Sequence, residues 1–219
     1  MLPYAMLAIF ILFLIFAYII IQGTRAALAW RTAADKGDLK VIRDIIEDSL
    51  KHWSSSRRPK EIPPEVWRGI QSMQLAVVAP EYVGVNTVAA SEYKMQDGQW
   101  IEMRNPLQEG IAITAKAAEM LMYEVIHYRP ETIQIDVYTD YRDDAGVTNR
   151  QCVLSTIATH DQVRDVNWEE WTPEQIVDSF ETRYRLSETG RPLPIEPFTP
   201  PEVPEEEVAE PTTIAEAHS

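Results

Sequence analysis

The sequence predicts an α+β protein with an N-terminal transmembrane helix. One small domain follows, with an antiparallel or mixed sheet of about five strands packed by helices, and then a disordered C-terminal tail. Three observations lead there: an uncharged run from Met1 to Thr24, a middle region where 3.6-residue and two-residue apolar periods alternate, and a last stretch rich in Pro and Glu. They divide the chain into an anchor (1–24), a juxtamembrane amphipathic helix and hinge (25–60), a globular domain (61–186) and a tail (187–219).

The anchor comes first. Residues 2–22 can cross the ~30 Å hydrocarbon core as a helix rising ~1.5 Å per residue. Positions 7–21 hold twelve Leu, Ile or Phe, which at about −0.3 to −0.6 kcal/mol each favour insertion by roughly 4 to 7 kcal/mol. A cleaved signal peptide would need a basic n-region and a shorter apolar run. Arg25, Arg31, Lys36, Lys40 and Arg43 all follow the run and no Lys or Arg precedes it. The positive-inside rule therefore predicts a single-pass protein with its N-terminus outside and its domain in the cytoplasm, its first partner being the lipid bilayer. The only cysteine, Cys152, excludes an intramolecular disulfide and suits a reducing compartment.

Asp38 caps a helix over 39–53 with Leu39, Ile42, Ile46, Leu50 and Trp53 on one stripe. The polar run Ser54–Pro59 reads as a hinge. Pro63-Pro64 opens a helix whose Val66, Trp67, Ile70, Met73 and Val77 recur at helical spacing until Pro80 ends it. Val83, Val85, Thr87 and Val88 predict a strand over 82–90. Residues 93–103 predict a hairpin turning at Asp97-Gly98.

Asn105 and Pro106 start the main packing helix, 106–128, with Leu107, Ile111, Ala115, Ala118, Leu121, Met122, Val125 and Ile126 inward. Ile133, Ile135 and Val137 alternate with Gln134, Asp136 and Tyr138, as in a strand with one buried face. A strand over 147–158 follows the turn Asp143–Gly146, and periodicity leaves its buried set open between Cys152, Leu154, Thr156, Ala158 and Val147, Val153, Ile157. Thr172-Pro173-Glu174-Gln175 is a capping box opening a helix to about 186, with Ile176, Val177, Phe180 and Tyr184 inward.

Charge limits function. Of the net −14, half lies in 187–219, where eight Glu face the single Arg191. An acidic chain of this kind repels phosphate backbones, so no nucleic-acid partner is expected. His52, His127, His160 and His218 lack metal-site spacing, and neither a Gly-rich phosphate loop nor a nucleophile elbow occurs, so no metal and no cofactor is expected.

Glu81, Glu92 and Lys94 match the acid, acid and lysine order of a metal-dependent nuclease, in which two carboxylates hold the ion that activates water. A solvated turn accounts for the same residues. Trp168 and Trp171 offer a partner-binding edge unless they pack under the last helix. Arg191, Pro194 and Pro197 match a basic-x-x-Pro-x-x-Pro motif read by polyproline-binding domains, and a solvated spacer is the alternative. The resulting expectation is a membrane-anchored, non-enzymatic interaction or scaffold domain, with a membrane-tethered metal-dependent hydrolase or nuclease as the second reading.

Overall fold

The computed structural model describes residues 2–96, 99–142 and 148–202. The turns expected at Asp97-Gly98 and over Asp143–Gly146, and the tail beyond residue 202, lie outside the described residues.

Helix α1, Leu2–Asp35, is long and apolar enough to span a membrane. It continues through the Ala-rich stretch and turns at Lys36-Gly37, where Gly37 supplies a positive φ of 78°. Asp38 then caps α2, Leu39–Ser55, by accepting from the Lys40 and Val41 amides. The expected stripe of α2 is buried except at Leu39, which is half-buried, and Ile45 joins it. These side chains share one core with the sheet, so the folded body begins by Leu39.

Helix α3, Pro64–Gln71, stops six residues before the expected Val77, and Gln74–Ala79 form strand β1. Met73 and Val77 fit a helical template, but Leu75, Val77 and Ala79 fit a two-residue period equally well. Ser72 decides between them. Its hydroxyl bonds to the Gly69 carbonyl, 2.8 Å, and accepts from the Val88 amide, 3.1 Å, tying the end of α3 to strand β2, Tyr82–Val88. Pro80 sits in the β1–β2 turn, where an edge strand tolerates it.

Strands β3, Glu92–Gln96, and β4, Gln99–Arg104, form the expected hairpin as a separate two-stranded ribbon. Helix α4, Pro106–Tyr123, starts with a capping box between Asn105 and Gln108 and ends five residues before the expected 128. The backbone leaves the helix at Glu124 and turns at His127, φ 73°, which places Val125 in the core and leaves Ile126 exposed.

Strands β5, Thr132–Arg142, and β6, Thr148–Thr159, pair antiparallel. Helix α5, His160–Arg164, capped by Thr159, was not legible in the apolar pattern. Helix α6, Pro173–Asp178, has the expected Thr172–Gln175 capping box but ends about eight residues short of 186. Glu181–Leu186 instead form β7, because Leu154 to Ile157 of β6 offer an open edge and take Glu181 to Tyr184 as partners. Tyr184 is accordingly exposed, not inward.

The main sheet has six strands in the order β1-β2-β5-β6-β7-β8, the last being the short Pro192–Leu193. It is mixed: β2 and β5 are parallel, joined by a crossover through the ribbon and α4, and the other pairs are antiparallel. Val83, Val85, Ile133, Ile135, Val137, Leu154 and Ala158 form the inner layer on the helix side.

The opposite face is also covered, which the sequence reading missed. Gln134 and Asp136 of β5 are buried there with Ser155 of β6, so that Cys152, Val153, Leu154, Ser155, Thr156 and Ala158 of β6 are all buried on one face or the other. The first alternative, Cys152, Leu154, Thr156 and Ala158, is buried throughout and Val153 and Ser155 join it, whereas Ile157 is half-buried and Val147 lies outside the described residues. A register shift between Val137 and Tyr138 lets Leu154 and Cys152 both pair, with Val153 between them.

The cover is a strap from the segment expected to be disordered. After a turn at Ser187–Arg191 closed by a 2.8 Å bond from the Ser187 amide to the Arg191 carbonyl, Pro192–Leu193 form β8 against β7. The chain then crosses β6, with the Ile195 amide donating to the Cys152 carbonyl at 2.9 Å, and buries Phe198. One large buried aromatic and main-chain bonds at Pro192, Pro194, Ile195 and Phe198 hold a stretch that composition alone reads as a spacer.

Candidate functional site

Two places gather the chemistry of the domain: an open cleft around Trp168 and Trp171, and a sealed polar seam under the strap.

The cleft lies where α3, α4 and α6 converge and has a volume of about 760 Å³. The turn before α6 positions both tryptophans, with the Trp171 amide bonded to the Asn167 carbonyl at 3.0 Å. Trp168 is half-buried and meets Tyr123 edge to face, centroids 6.2 Å apart and planes at 88°, an arrangement favoured by the ring quadrupoles. Trp171 stays 39 % exposed. Val66, Ala115 and Ile176 are buried at the floor. Thus one tryptophan packs into the fold and the other is presented to solvent on the same cleft.

The rim carries Glu61, Glu119 and Glu174; among the described lining residues the one cation, Lys116, is already engaged by Glu119 at 2.8 Å and Glu124 at 3.6 Å, and the neighbouring Arg58 is bonded to the Ile62 carbonyl. Among the described residues no Lys, Arg or His pairs with Glu61 or Glu174.

The seam is a chain of oriented donors. The Phe198 amide donates to Ser155 Oγ at 3.0 Å, and the Ser155 hydroxyl donates to Asp136 Oδ1. Gln134 Nε2 donates to Asp136 Oδ2 at 2.7 Å and to the Phe198 carbonyl at 3.0 Å, while the Tyr82 hydroxyl donates to Gln134 Oε1. Burial pushes the Asp136 carboxyl above its ordinary value, and the Ser155 and Gln134 bonds oppose the shift. Burial, with the Asp136 charge beside them, drives the Tyr82 hydroxyl and the Cys152 thiol up to about 12 each. At neutral pH Cys152 is an inert, buried thiol. Sequence reading assigned Gln134 and Asp136 to solvent because their strand alternates; only the strap, distant in sequence, buries them.

The acid and lysine residues are spread out. Glu81 occupies the β1–β2 turn at φ 63°, before β2, and Glu92 and Lys94 lie beyond its other end on β3. The seven residues of β2 span roughly 20 Å at ~3.3 Å each, so the turn and the ribbon stand at opposite ends of that strand. Glu81 instead lines a cleft of about 850 Å³ with His127, Tyr128 and Arg129, at the end of α1. There, burial raises the Tyr128 hydroxyl to about 12 and the Glu81 charge adds to it. No group of three or more His, Cys, Asp or Glu able to hold a metal occurs among the described residues.

The Arg191, Pro194 and Pro197 motif runs through the strap. Arg191 is exposed, but Pro194 and Pro197 are half-buried, and the Pro194 carbonyl accepts from Arg185 at 3.1 Å. Set against known proteins, the chain matches no protein-family model, no curated protein and no solved structure.

Proposed function

We propose that this chain is a single-pass membrane protein whose α+β domain is a non-enzymatic interaction module held at the cytoplasmic face. The observation behind this reading is the contrast within α1. From Ile11 to Ile21 its large apolar side chains, such as Ile20 at 65 %, face outward with no protein against them, whereas Ala34 near its end is buried in the domain core. Water would penalise that apolar surface and lipid would not. The five Lys and Arg between residues 25 and 43 favour the domain side as cytoplasmic. The Trp168–Trp171 cleft is the surface best suited to a partner, since a partly exposed tryptophan lining a cleft with an apolar floor is a recurrent binding anchor.

Cys152 makes the topology straightforward to test, because its buried thiol gives no background labelling. In Glu188→Cys, on the exposed turn before β8, a membrane-impermeant maleimide should label only permeabilised cells. Labelling of intact cells at full rate would place the domain outside and overturn the cytoplasmic assignment.

A further inference from the structure

We infer that the cleft between α3, α4 and α6 takes a Lys/Arg-rich segment of a partner protein that inserts one large apolar side chain beside Trp171. This rests on the reading of the domain as an interaction module and adds the chemistry of what it binds.

Three features select the occupant. The floor is apolar, and the small side chains of Ala112 and Ala115 on α4 leave room for an incoming side chain near Trp171. Glu61 and Glu174 stand at the rim with no cation paired to them among the described residues, while Lys116 is held by two glutamates. Glu169 and Glu170, exposed between the two tryptophans, extend the negative field. An anionic lipid surface, a nucleic acid and the acidic residues beyond 202 of the same chain would all be repelled. A cationic peptide would be drawn in, and its apolar anchor would supply the specificity. Such segments are abundant next to a membrane, because cytoplasmic flanks of other spans concentrate Lys and Arg.

The test uses the full chain in a non-ionic detergent micelle. The probe is a fluorescein-labelled peptide with Lys-Arg pairs on either side of a Leu-Trp core, and binding is read by anisotropy at low and high salt. We expect saturable binding that weakens with salt and is absent for the same peptide with Glu in place of Lys and Arg. Trp171→Ala should weaken it about tenfold or more. Glu61→Gln with Glu174→Gln should weaken it about three- to tenfold and flatten the salt dependence, two rim charges being individually modest. Both rim residues are exposed, so this variant should melt like the parent.

Failure would be readable. If Trp171→Ala reduces binding but the rim variant and the Glu-substituted peptide behave like their parents, the cleft is a docking site and the charge assignment is wrong. If Trp171→Ala changes nothing, or no peptide binds, the cleft reading itself falls.

Discussion

The guanidinium carbon of Arg183 lies 3.8 Å from the centre of the Phe198 ring, so a cation on β7 pins the one aromatic residue that closes the strap over the sheet. Cation–π contact of this kind contributes ~0.5 to 2 kcal/mol, more as water is excluded. Phe198 is 6 % exposed and its main chain bonds both Ser155 and Gln134, so its side chain holds the seam shut. Phe198→Ala should cost about 3 kcal/mol in a urea melt. It should also speed the reaction of Cys152 with a small maleimide. An unchanged Cys152 rate in a folded variant would show that the strap does not guard this face.

Asp136 gives the seam a pH dependence whose sign follows from its burial. Its folded pKa is raised above the ordinary 3.8. Between the two values the folded state keeps a proton that the unfolded state has released. Stability contributed by this group is therefore present below 3.8 and is lost as pH rises through the folded pKa. Asp136→Asn, which cannot ionise, removes the effect. The melting temperature of wild type relative to Asp136→Asn should fall as pH is raised from 4 towards neutrality. A difference that stays constant over that range would refute a buried, raised carboxyl.

Gly69 of α3 packs directly against the Ile113 side chain of α4. A Cβ there would lie 2.2 Å from Cδ1 and 2.5 Å from Cγ1 of Ile113, which is fully buried and has nowhere to swing. Gly69→Ala should destabilise the domain by about 1 to 3 kcal/mol, despite alanine's better helix propensity. Pairing it with Ile113→Val should recover part of the loss, because the smaller side chain withdraws the clashing Cδ1. Equal stability of wild type and Gly69→Ala in chemical denaturation would contradict this packing.

What the sequence disclosed was governed by local chemistry. Asp38, Asn105 and Thr172 each bond amides within three residues of themselves, so the three helix starts were legible to the residue. Helix ends were less so. Val77 and Tyr184 sit at helical spacing from buried neighbours yet belong to strands, because a strand edge, β2 for one and β6 for the other, was available to pair with.

The candidate sites follow the same division. Trp168 and Trp171 are three residues apart and share one turn, so their common surface was visible from sequence. Asp136 and Phe198 are 62 positions apart, and no periodicity announces that one will roof the other. Pro192 to Pro197 read as a free spacer for the same reason: what orders them is the Cys152 carbonyl, the Ser155 hydroxyl and the Arg183 side chain, none of which is local.

The helix that leaves the apolar run does not hand over to a flexible tether. Only Lys36, Gly37 and Asp38 separate α1 from α2, and Ala34 is already packed. With its apolar half in a bilayer, the chain has almost no reach. The domain would sweep the membrane plane like a signpost on a post, meeting neighbours through lateral diffusion and not by casting into the bulk. A binding surface mounted this way would select partners by height above the lipid as well as by charge, and inserting a few Gly and Ser residues after Asp35 would relax that filter without touching a single contact in the cleft.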